Sequence, residues 1–156
     1  MKIARVTLSD RAANGVYADA SGPEIERVAQ QFFLEPLEWT RVLLPDNRPE
    51  IEAALRRLAD TEQCPLIITT GGTGPAPRDV TPEATRAVLE RELPGFGEIM
   101  RMQSYTKVKT AILSRATAGV RGRSLIINLP GRPTAIGECL PLLADRKSTR
   151  LNSSHQ

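Results

Sequence analysis

The chain of 156 residues has the length of one domain, and its 40% of hydrophobic residues suffice for a core without disulfides or metals. Its formal charge of +3 comes from Arg146, Lys147 and Arg150, so the body of the chain has no basic excess that would indicate a nucleic-acid partner. The single histidine, His155, lies in the same C-terminal segment, which excludes Ser-His-Asp, Cys-His and histidine-ligated zinc chemistry from a fold that leaves this segment out.

Strands and helices alternate in the first half of the chain. Residues 3–8 have the apolar, partly β-branched composition of a strand, and a long polar loop over residues 9–21 follows. A helix is expected from about Pro23, because apolar residues then recur at i, i+3, i+4, i+7 and i+8. A second strand over residues 37–44 ends at a Pro-Asp-Asn turn, and a helix with the same apolar spacing begins near Pro49.

The pattern continues with a continuous apolar run at residues 66–69, which is typical of a strand covered on both faces of a parallel sheet. A glycine-rich loop follows directly. We expect Thr81 to be the N-cap of the next helix, with Pro82 at its first position. Further along, the pattern predicts a helix over residues 96–104, a buried strand over residues 124–129 and a helix over residues 133–143.

This order predicts an α/β fold in one domain, residues 1–145, with an open, mostly parallel sheet and helices on both faces. Ligands of such sheets bind beyond the carboxyl ends of the strands. Four loops are therefore expected at one edge of the sheet: Ser9-Asp10-Arg11, Pro45-Asp46, residues 71–79, and Pro130-Gly131.

The glycine loop consists of Gly71, Gly72, Thr73 and Gly74. Glycines allow the backbone to approach a ligand closely, and successive free N–H groups can form an anion-binding nest. The spacing matches neither a Walker A loop nor the GxGxxG dinucleotide motif. From spacing alone, a phosphate site and an ordinary tight turn are equally supported.

Asp46 and Asp79 are the candidate chemistry-bearing carboxylates. Each alone is explained by turn or capping chemistry, but on neighbouring strand ends the two fit the carboxylate pair that holds Mg²⁺ beside substrate phosphates. Asp10 is a third candidate. Arg115, which follows Ser114, can bind a phosphate or carboxylate through two donors, although a lone arginine is more often a surface residue.

Cys64 and Cys139 have no CxxC spacing and have apolar neighbours, so we interpret them as small core residues. This agrees with a reducing compartment. The sequence contains no signal peptide and no apolar run of 18 residues. We therefore expect a cytoplasmic protein without a membrane partner.

Several motifs occur in the order found in MogA-type molybdopterin adenylyltransferases, and the chain resembles this family from about residue 3 to residue 144. The glycine loop with its trailing Asp-Val-Thr-Pro is typical of the molybdopterin-binding superfamily, while Ser-Asp-Arg-Ala and Pro-Gly-Phe-Gly-Glu favour the MogA branch over MoaB-like relatives. The motifs lie at residues 8–12, 44–46, 69–82, 94–98, 111–115 and 128–133.

The resemblance implies a three-layer sandwich and a reaction in which the terminal phosphate of molybdopterin attacks the α-phosphate of ATP, with Mg²⁺ assisting. It implies that Asp46 and Asp79 are the catalytic acidic residues and the metal ligands, and that a MoeA-type enzyme inserts molybdate into the adenylylated product. Family members are typically homotrimers. The expected substrate-binding residues are Ser9, Asp10, Gly71, Gly72, Thr73, Gly74, Ser114, Arg115, Pro130 and Gly131.

Residues 146–156 depart from the family, which continues with another strand and helix; we expect this segment to be a non-native, disordered tail after a C-terminally truncated domain. A non-catalytic, molybdopterin-binding MoaB-like module is the alternative function. The retention of Asp46 and Asp79 argues against it, and the truncation argues for it. A molybdate-insertion domain of the MoeA kind is a weaker third option, because such domains occur inside larger chains.

Overall fold

The structure, a computed structural model, describes residues 1–143. The predicted tail and the predicted domain end at residue 145 lie outside this range. Within it, the six strands are β1 (Lys2–Leu8), β2 (Glu38–Leu44), β3 (Leu66–Thr70), β4 (Arg91–Glu92), β5 (Ala118–Arg121) and β6 (Ser124–Leu129). They form one sheet in the order β2-β1-β3-β6-β5-β4.

The neighbouring strands β2, β1, β3 and β6 are parallel. At one edge of the sheet, β5 pairs antiparallel with β6, and β4 pairs antiparallel with β5. The prediction of a mostly parallel sheet is therefore confirmed. The two antiparallel strands were not predicted. β4 has only two residues, and β5 carries Gly119 in a short run without alternating polarity, so neither has a detectable period.

The helices are α1 (Asp10–Ala13), α2 (Ser21–Ala29), α3 (Arg48–Arg56), α4 (Thr81–Val88), α5 (Gly95–Tyr105) and α6 (Pro133–Leu143). Single turns of other helix types follow α2, α3 and α5, at Gln30–Phe32, Arg57–Thr61 and Lys109–Leu113. α1 lies inside the segment predicted as a loop, where Ser9 caps it by accepting a hydrogen bond from the Ala12 N–H.

Helices cover both faces of the sheet, as predicted, because successive residues of each central strand face opposite sides. Ile68 and Ile127 pack with residues of α2, α5 and α6, whereas Ile67 and Ile126 pack with residues of α3 and α4. The result is three layers with two cores. Cys64 and Cys139 are fully buried in these cores, and burial raises the pKa of both thiols, which confirms their interpretation as core residues.

The predicted N-cap of α4 was wrong. The cap is Val80, and Thr81 is the first helical residue. The Thr81 hydroxyl instead donates a hydrogen bond of 2.9 Å to the Gly71 carbonyl oxygen, and the Thr81 N–H donates to the Gly72 oxygen at 3.1 Å. The start of α4 therefore holds the glycine loop rather than capping itself.

Asn128 of β6 anchors the region beneath the glycine loop. Its amide nitrogen donates to the hydroxyls of Thr69 and Thr85 at 3.0 Å each, and its oxygen accepts the Thr117 N–H. These residues are fully or nearly fully buried. The network joins β3, α4 and the segment before β5 to β6.

None of the helices in residues 1–143 is long and apolar enough to cross a membrane.

Candidate active site

The carboxyl ends of β1, β2, β3 and β6 lie side by side. Leu8 is in register with Leu44, and Thr70 is in register with both Thr7 and Leu129. The four loops that follow these strands therefore begin at the same edge of the sheet, as the sequence predicted.

The glycine loop adopts a backbone that other residues would enter only with strain. Gly71 and Gly72 have φ angles of +98° and +67°. A Cβ atom at Gly71 would lie 2.3 Å from the Leu8 carbonyl oxygen, and one at Gly72 would lie 2.3 Å from the Thr81 hydroxyl. Both conformation and space therefore require glycine at these two positions.

The same loop presents unpaired donors. The N–H groups of Gly72, Thr73 and Gly74 have no hydrogen-bond acceptor among residues 1–143. The start of the loop is fixed to β6, because the Gly71 N–H donates to the Leu129 carbonyl oxygen at 3.2 Å. Free N–H groups on an immobilised backbone are the arrangement that binds anions, so the geometry favours a phosphate site over an ordinary turn.

Asp10 and Asp46 form two reciprocal hydrogen bonds, in which the backbone N–H of each residue donates to the carboxylate of the other. The Asp46 N–H donates to Asp10 Oδ1 at 2.9 Å, and the Asp10 N–H donates to Asp46 Oδ2 at 3.2 Å. Arg78 donates to both Asp10 carboxylate oxygens, at 2.8 to 3.0 Å, and this lowers the pKa of Asp10. The Asp10 carboxylate is therefore neutralised by a neighbour and links the β1, β2 and glycine loops.

Asp46 keeps one oxygen free. Oδ1 is buried and has no hydrogen-bond partner within the described part of the chain, and it lies 3.1 Å from where a Cβ of Gly72 would be. Burial raises the pKa of Asp46, and the negative charges of Asp10 and Asp79 add to this. A desolvated, unpartnered carboxylate oxygen attracts a cation strongly.

Asp79 lies beside the last glycine of the loop, Gly74. Its Oδ2 accepts the Ala76 N–H at 3.1 Å and would lie 2.8 Å from a Cβ at Gly74. The two predicted metal ligands thus flank the loop, with Asp46 beside Gly72 and Asp79 beside Gly74. Residues 1–143 contain no cluster of three or more metal-ligating side chains. Mg²⁺ needs only one or two carboxylates when phosphates and waters complete its shell, so this pair fits it.

Arg115 also holds the glycine loop in place. Its Nε donates to the backbone carbonyl oxygen of Gly74 at 2.9 Å, and its Nη2 donates to the backbone carbonyl oxygen of Asp79 at 2.8 Å. Its Nη1 pairs with the Glu83 carboxylate. Its backbone N–H donates to the Thr73 oxygen at 2.8 Å. The predicted phosphate-binding arginine is thus engaged with protein acceptors, and its contact with a substrate stays a prediction.

The other predicted site residues lie around the loop. The hydroxyl of Ser9 contacts that of Tyr17 at 2.9 Å, and that of Ser114 accepts the Ala116 N–H at 3.3 Å. The carbonyl oxygens of Pro130 and Gly131 accept hydrogen bonds of 2.7 and 2.6 Å from Thr70 and Ser21. Pro130 and Gly131 therefore act through backbone atoms that hold the loops together.

Two cavities flank the glycine loop. One of about 430 Å³ is lined by Thr73, Gly74 and Ser114, and the other, of about 500 Å³, is lined by Asp46, Gly71 and Gly72. Arg132 lines both. Sequence reasoning did not single out Arg132, although its position after Pro130-Gly131 in the fourth loop was a usable signal.

The burial of Asp46 should make the free energy of unfolding depend on pH. Since its pKa is raised in the folded state, stability falls as pH rises from the ordinary value of 3.8 through the raised pKa, and the cost persists at neutral pH. We therefore expect Asp46→Asn to be more stable than the wild type at neutral pH, with the advantage disappearing in acid. Urea denaturation over a pH series measures this.

Asp60→Asn is the matched control with opposite sign. The Arg121 guanidinium lowers the pKa of Asp60, so its contribution to stability is present at neutral pH and is lost as pH falls through that lowered pKa. This variant should be slightly less stable than the wild type at neutral pH and equal to it in acid. An Asp46→Asn variant that behaves like Asp60→Asn would contradict the account of Asp46.

Comparison with known proteins agrees with the geometry. Residues 4–148 match the family model described as "Probable molybdopterin binding domain". The chain is 55% identical over 135 residues to the molybdopterin adenylyltransferase of Helicobacter pylori strain J99, covering 86% of this chain and 77% of that protein. It is 50% identical over 151 residues to that of Haemophilus influenzae, covering 97% and 77%.

Solved structures show the same fold. The molybdopterin biosynthesis enzyme MoaB from Thermus thermophilus has a TM-score of 0.81 at 45% identity, covering 91% of each chain. The molybdopterin biosynthesis Mog protein from Mycobacterium ulcerans has a TM-score of 0.84 at 41% identity, covering 96% of each chain. Since the family match spans nearly all of the described residues, the chain belongs to the molybdopterin-binding domain family.

Proposed function

We propose that this chain is a molybdopterin adenylyltransferase of molybdenum cofactor biosynthesis, which transfers AMP from ATP to the phosphate of molybdopterin and releases pyrophosphate. One observation carries the proposal: two aspartates flank a glycine loop with unpaired N–H groups, between two cavities. A reaction that joins two phosphate-bearing substrates needs two pockets that meet at one anion site. The names and identities of the curated relatives support the same activity.

The chemistry follows from what the residues can do. An oxygen of the molybdopterin phosphate forms a bond to the α-phosphorus of ATP, and the bond from this phosphorus to the β-phosphate oxygen breaks, so pyrophosphate leaves with the electron pair. A phosphate monoester is largely ionised near neutral pH, with a second pKa of about 6. No general base is required, which agrees with a body that lacks histidine.

Positioning and charge neutralisation are then the main tasks of the protein. The N–H groups of Gly72, Thr73 and Gly74 would bind phosphate oxygens. Asp46 Oδ1 and the Asp79 carboxylate would hold Mg²⁺, which supplies positive charge for the phosphates. Arg115 keeps the loop and Asp79 at a fixed separation through its two carbonyl contacts.

The direct test is pyrophosphate release by the purified chain in the presence of molybdopterin, ATP and Mg²⁺. We expect turnover that stops when the metal is chelated. ATP with a methylene bridge between its α- and β-phosphates should be inert, whereas a β,γ-methylene analogue should still react and release methylenediphosphonate in place of pyrophosphate, because only the α–β linkage is cleaved. Binding of both substrates without turnover would instead support a non-catalytic binding module.

We also propose that the protein is a homotrimer. Apolar residues are exposed on α5 and the turn after it, beside an open cavity of about 620 Å³ that Met102, Tyr105 and Ile112 line together with Glu98 and Arg101. Apolar patches of this kind mark protein–protein interfaces. The exposed fractions are Ile99 37%, Met102 69%, Tyr105 39%, Ile112 66% and Leu113 51%. The number of three subunits rests on the family resemblance.

A charged side chain introduced into this apolar surface should disrupt the trimer. Ile112→Asp should shift the protein from trimer to monomer, as measured by light scattering after size-exclusion chromatography, because a buried unpaired carboxylate opposes association. Leu34→Asp is the control, since Leu34 is 89% exposed on the connection from α2 to β2. A wild type that is monomeric at all concentrations would contradict the proposal. Transfer of the product to a MoeA-type enzyme rests on the family resemblance. The proposed cytoplasmic location rests on cysteine usage, because Cys64 and Cys139 are buried and free, as expected in a reducing compartment.

A further inference from the structure

Arg132 lies between the two cavities of the candidate active site. It lies on the connection from β6 to α6 and lines both cavities beside the glycine loop. The backbone before it is fixed, because the Pro130 and Gly131 oxygens accept hydrogen bonds from Thr70 and Ser21. The Arg132 oxygen accepts the N–H groups of the first turns of α6 at 3.0 and 3.4 Å. The side chain therefore extends from an immobilised backbone.

The other arginines that line one of the two cavities or contact the loops beside them are engaged, while Arg11, on the first loop, is unpaired within residues 1–143 but lines neither cavity. Arg78 binds the Asp10 carboxylate, Arg115 binds two loop carbonyls and Glu83, and Arg101 donates to the Ser114 and Ala116 oxygens. Arg132 differs from all three. Its side chain is exposed, and its guanidinium has no hydrogen bond or ion pair with any other residue that the structure describes.

The acidic residues near the glycine loop also differ in whether an arginine pairs with them. Asp10 is neutralised by Arg78, and Glu83 is neutralised by Arg115. The carboxylates of Asp46 and Asp79 have no arginine partner among residues 1–143, since Arg115 contacts only the backbone carbonyl oxygen of Asp79. Mg²⁺ on Asp46 and Asp79 would offset these two carboxylates but not the charge of the substrates' own phosphates, so an available cation at the residue that lines both cavities favours their binding. A guanidinium suits this task, since it can donate two parallel hydrogen bonds to phosphate oxygens.

We infer that Arg132 binds the phosphate groups of the substrates at the junction of the two cavities. The inference rests on the proposed adenylyl transfer and adds a phosphate-binding residue that the sequence resemblance did not supply. Arg115, in contrast, holds the loop through two carbonyl contacts, and its own contact with phosphate stays a prediction.

Calorimetric binding of ATP with Mg²⁺ and of molybdopterin, measured separately, tests the inference without requiring turnover. Loss of a charge-assisted contact should weaken binding about tenfold to a hundredfold in Arg132→Ala, and Arg132→Lys should be intermediate because it keeps the charge but not the paired donors. Arg123→Ala is the matched control. Arg123 is also exposed and unpaired within residues 1–143, but it precedes β6, at the opposite end of that strand.

The two titrations identify the phosphate concerned. Weaker binding of ATP alone assigns Arg132 to the nucleotide phosphates, and weaker binding of molybdopterin alone assigns it to the pterin phosphate. Unchanged affinity for both substrates in Arg132→Ala, with a wild type that binds them, overturns the inference and leaves the proposed function standing. A wild type that binds neither substrate overturns both.

Discussion

Asp79→Asn is expected to lower the rate of pyrophosphate release by about a hundredfold to a thousandfold, the range seen when one group that stabilises transition-state charge is removed. The variant should still fold, since the asparagine side-chain oxygen can accept the Ala76 N–H that Asp79 Oδ2 accepts at 3.1 Å. The change thus removes charge beside Gly74 with little change of shape. Steady-state pyrophosphate release at saturating ATP and Mg²⁺ measures the loss.

Asp60→Asn provides the control for this prediction, because Asp60 is an exposed aspartate that pairs with Arg121 and lines neither cavity. Its rate should remain within about twofold of the wild type, as is usual for surface substitutions. If Asp79→Asn retained the wild-type rate, Asp79 would have no part in the reaction, and the glycine loop would have to act without it.

Gly71→Ala is expected to produce the second large effect. The new methyl group would lie 2.3 Å from the Leu8 carbonyl oxygen, which belongs to a central strand and cannot easily move. The positive φ of +98° adds a backbone cost of about 1–2 kcal/mol, and overpacking adds about 1–3 kcal/mol. We therefore expect a loss of about 3 kcal/mol in the free energy of unfolding. Because the loop must shift, we also expect turnover to fall about a hundredfold.

Gly122→Ala separates the two contributions. Gly122 also has a positive φ, of +56°, but a Cβ there has no neighbouring atom of the described chain within 4 Å. This variant should lose only about 1 kcal/mol of stability and none of the activity. Urea denaturation and turnover of both variants measure the difference. Equal destabilisation and full activity in both would show that the close approach of Gly71 to β1 is unimportant.

The parallel half of the fold could be predicted from local pattern. Continuous apolar runs marked the strands, and the i, i+3, i+4 spacing marked α2 and α3 because each of these helices buries one face. The antiparallel edge could not be predicted in this way. β4 is exposed and two residues long, and its pairing with β5 depends on contacts between residues 91 and 120.

The location of the candidate site was also predictable, because parallel strands bring their carboxyl ends to one edge of the sheet. Individual side-chain roles were less so. The sequence placed Arg115 near the loop but could not show that its guanidinium binds Gly74, Asp79 and Glu83, 32 to 41 residues away. For the same reason the sequence assigned Thr81 to a cap, whereas the structure shows its hydroxyl bound to Gly71.

The central claim is that the glycine loop between Asp46 and Asp79 joins the two substrates. The most direct measurement is mass-spectrometric detection of adenylylated molybdopterin after one turnover of the purified chain with molybdopterin, ATP and Mg²⁺, compared with Asp79→Asn. We expect the adduct with the wild type and little or none with the variant over the same time. Equal amounts with both proteins, or no adduct with a wild type that binds both substrates, would contradict the claim.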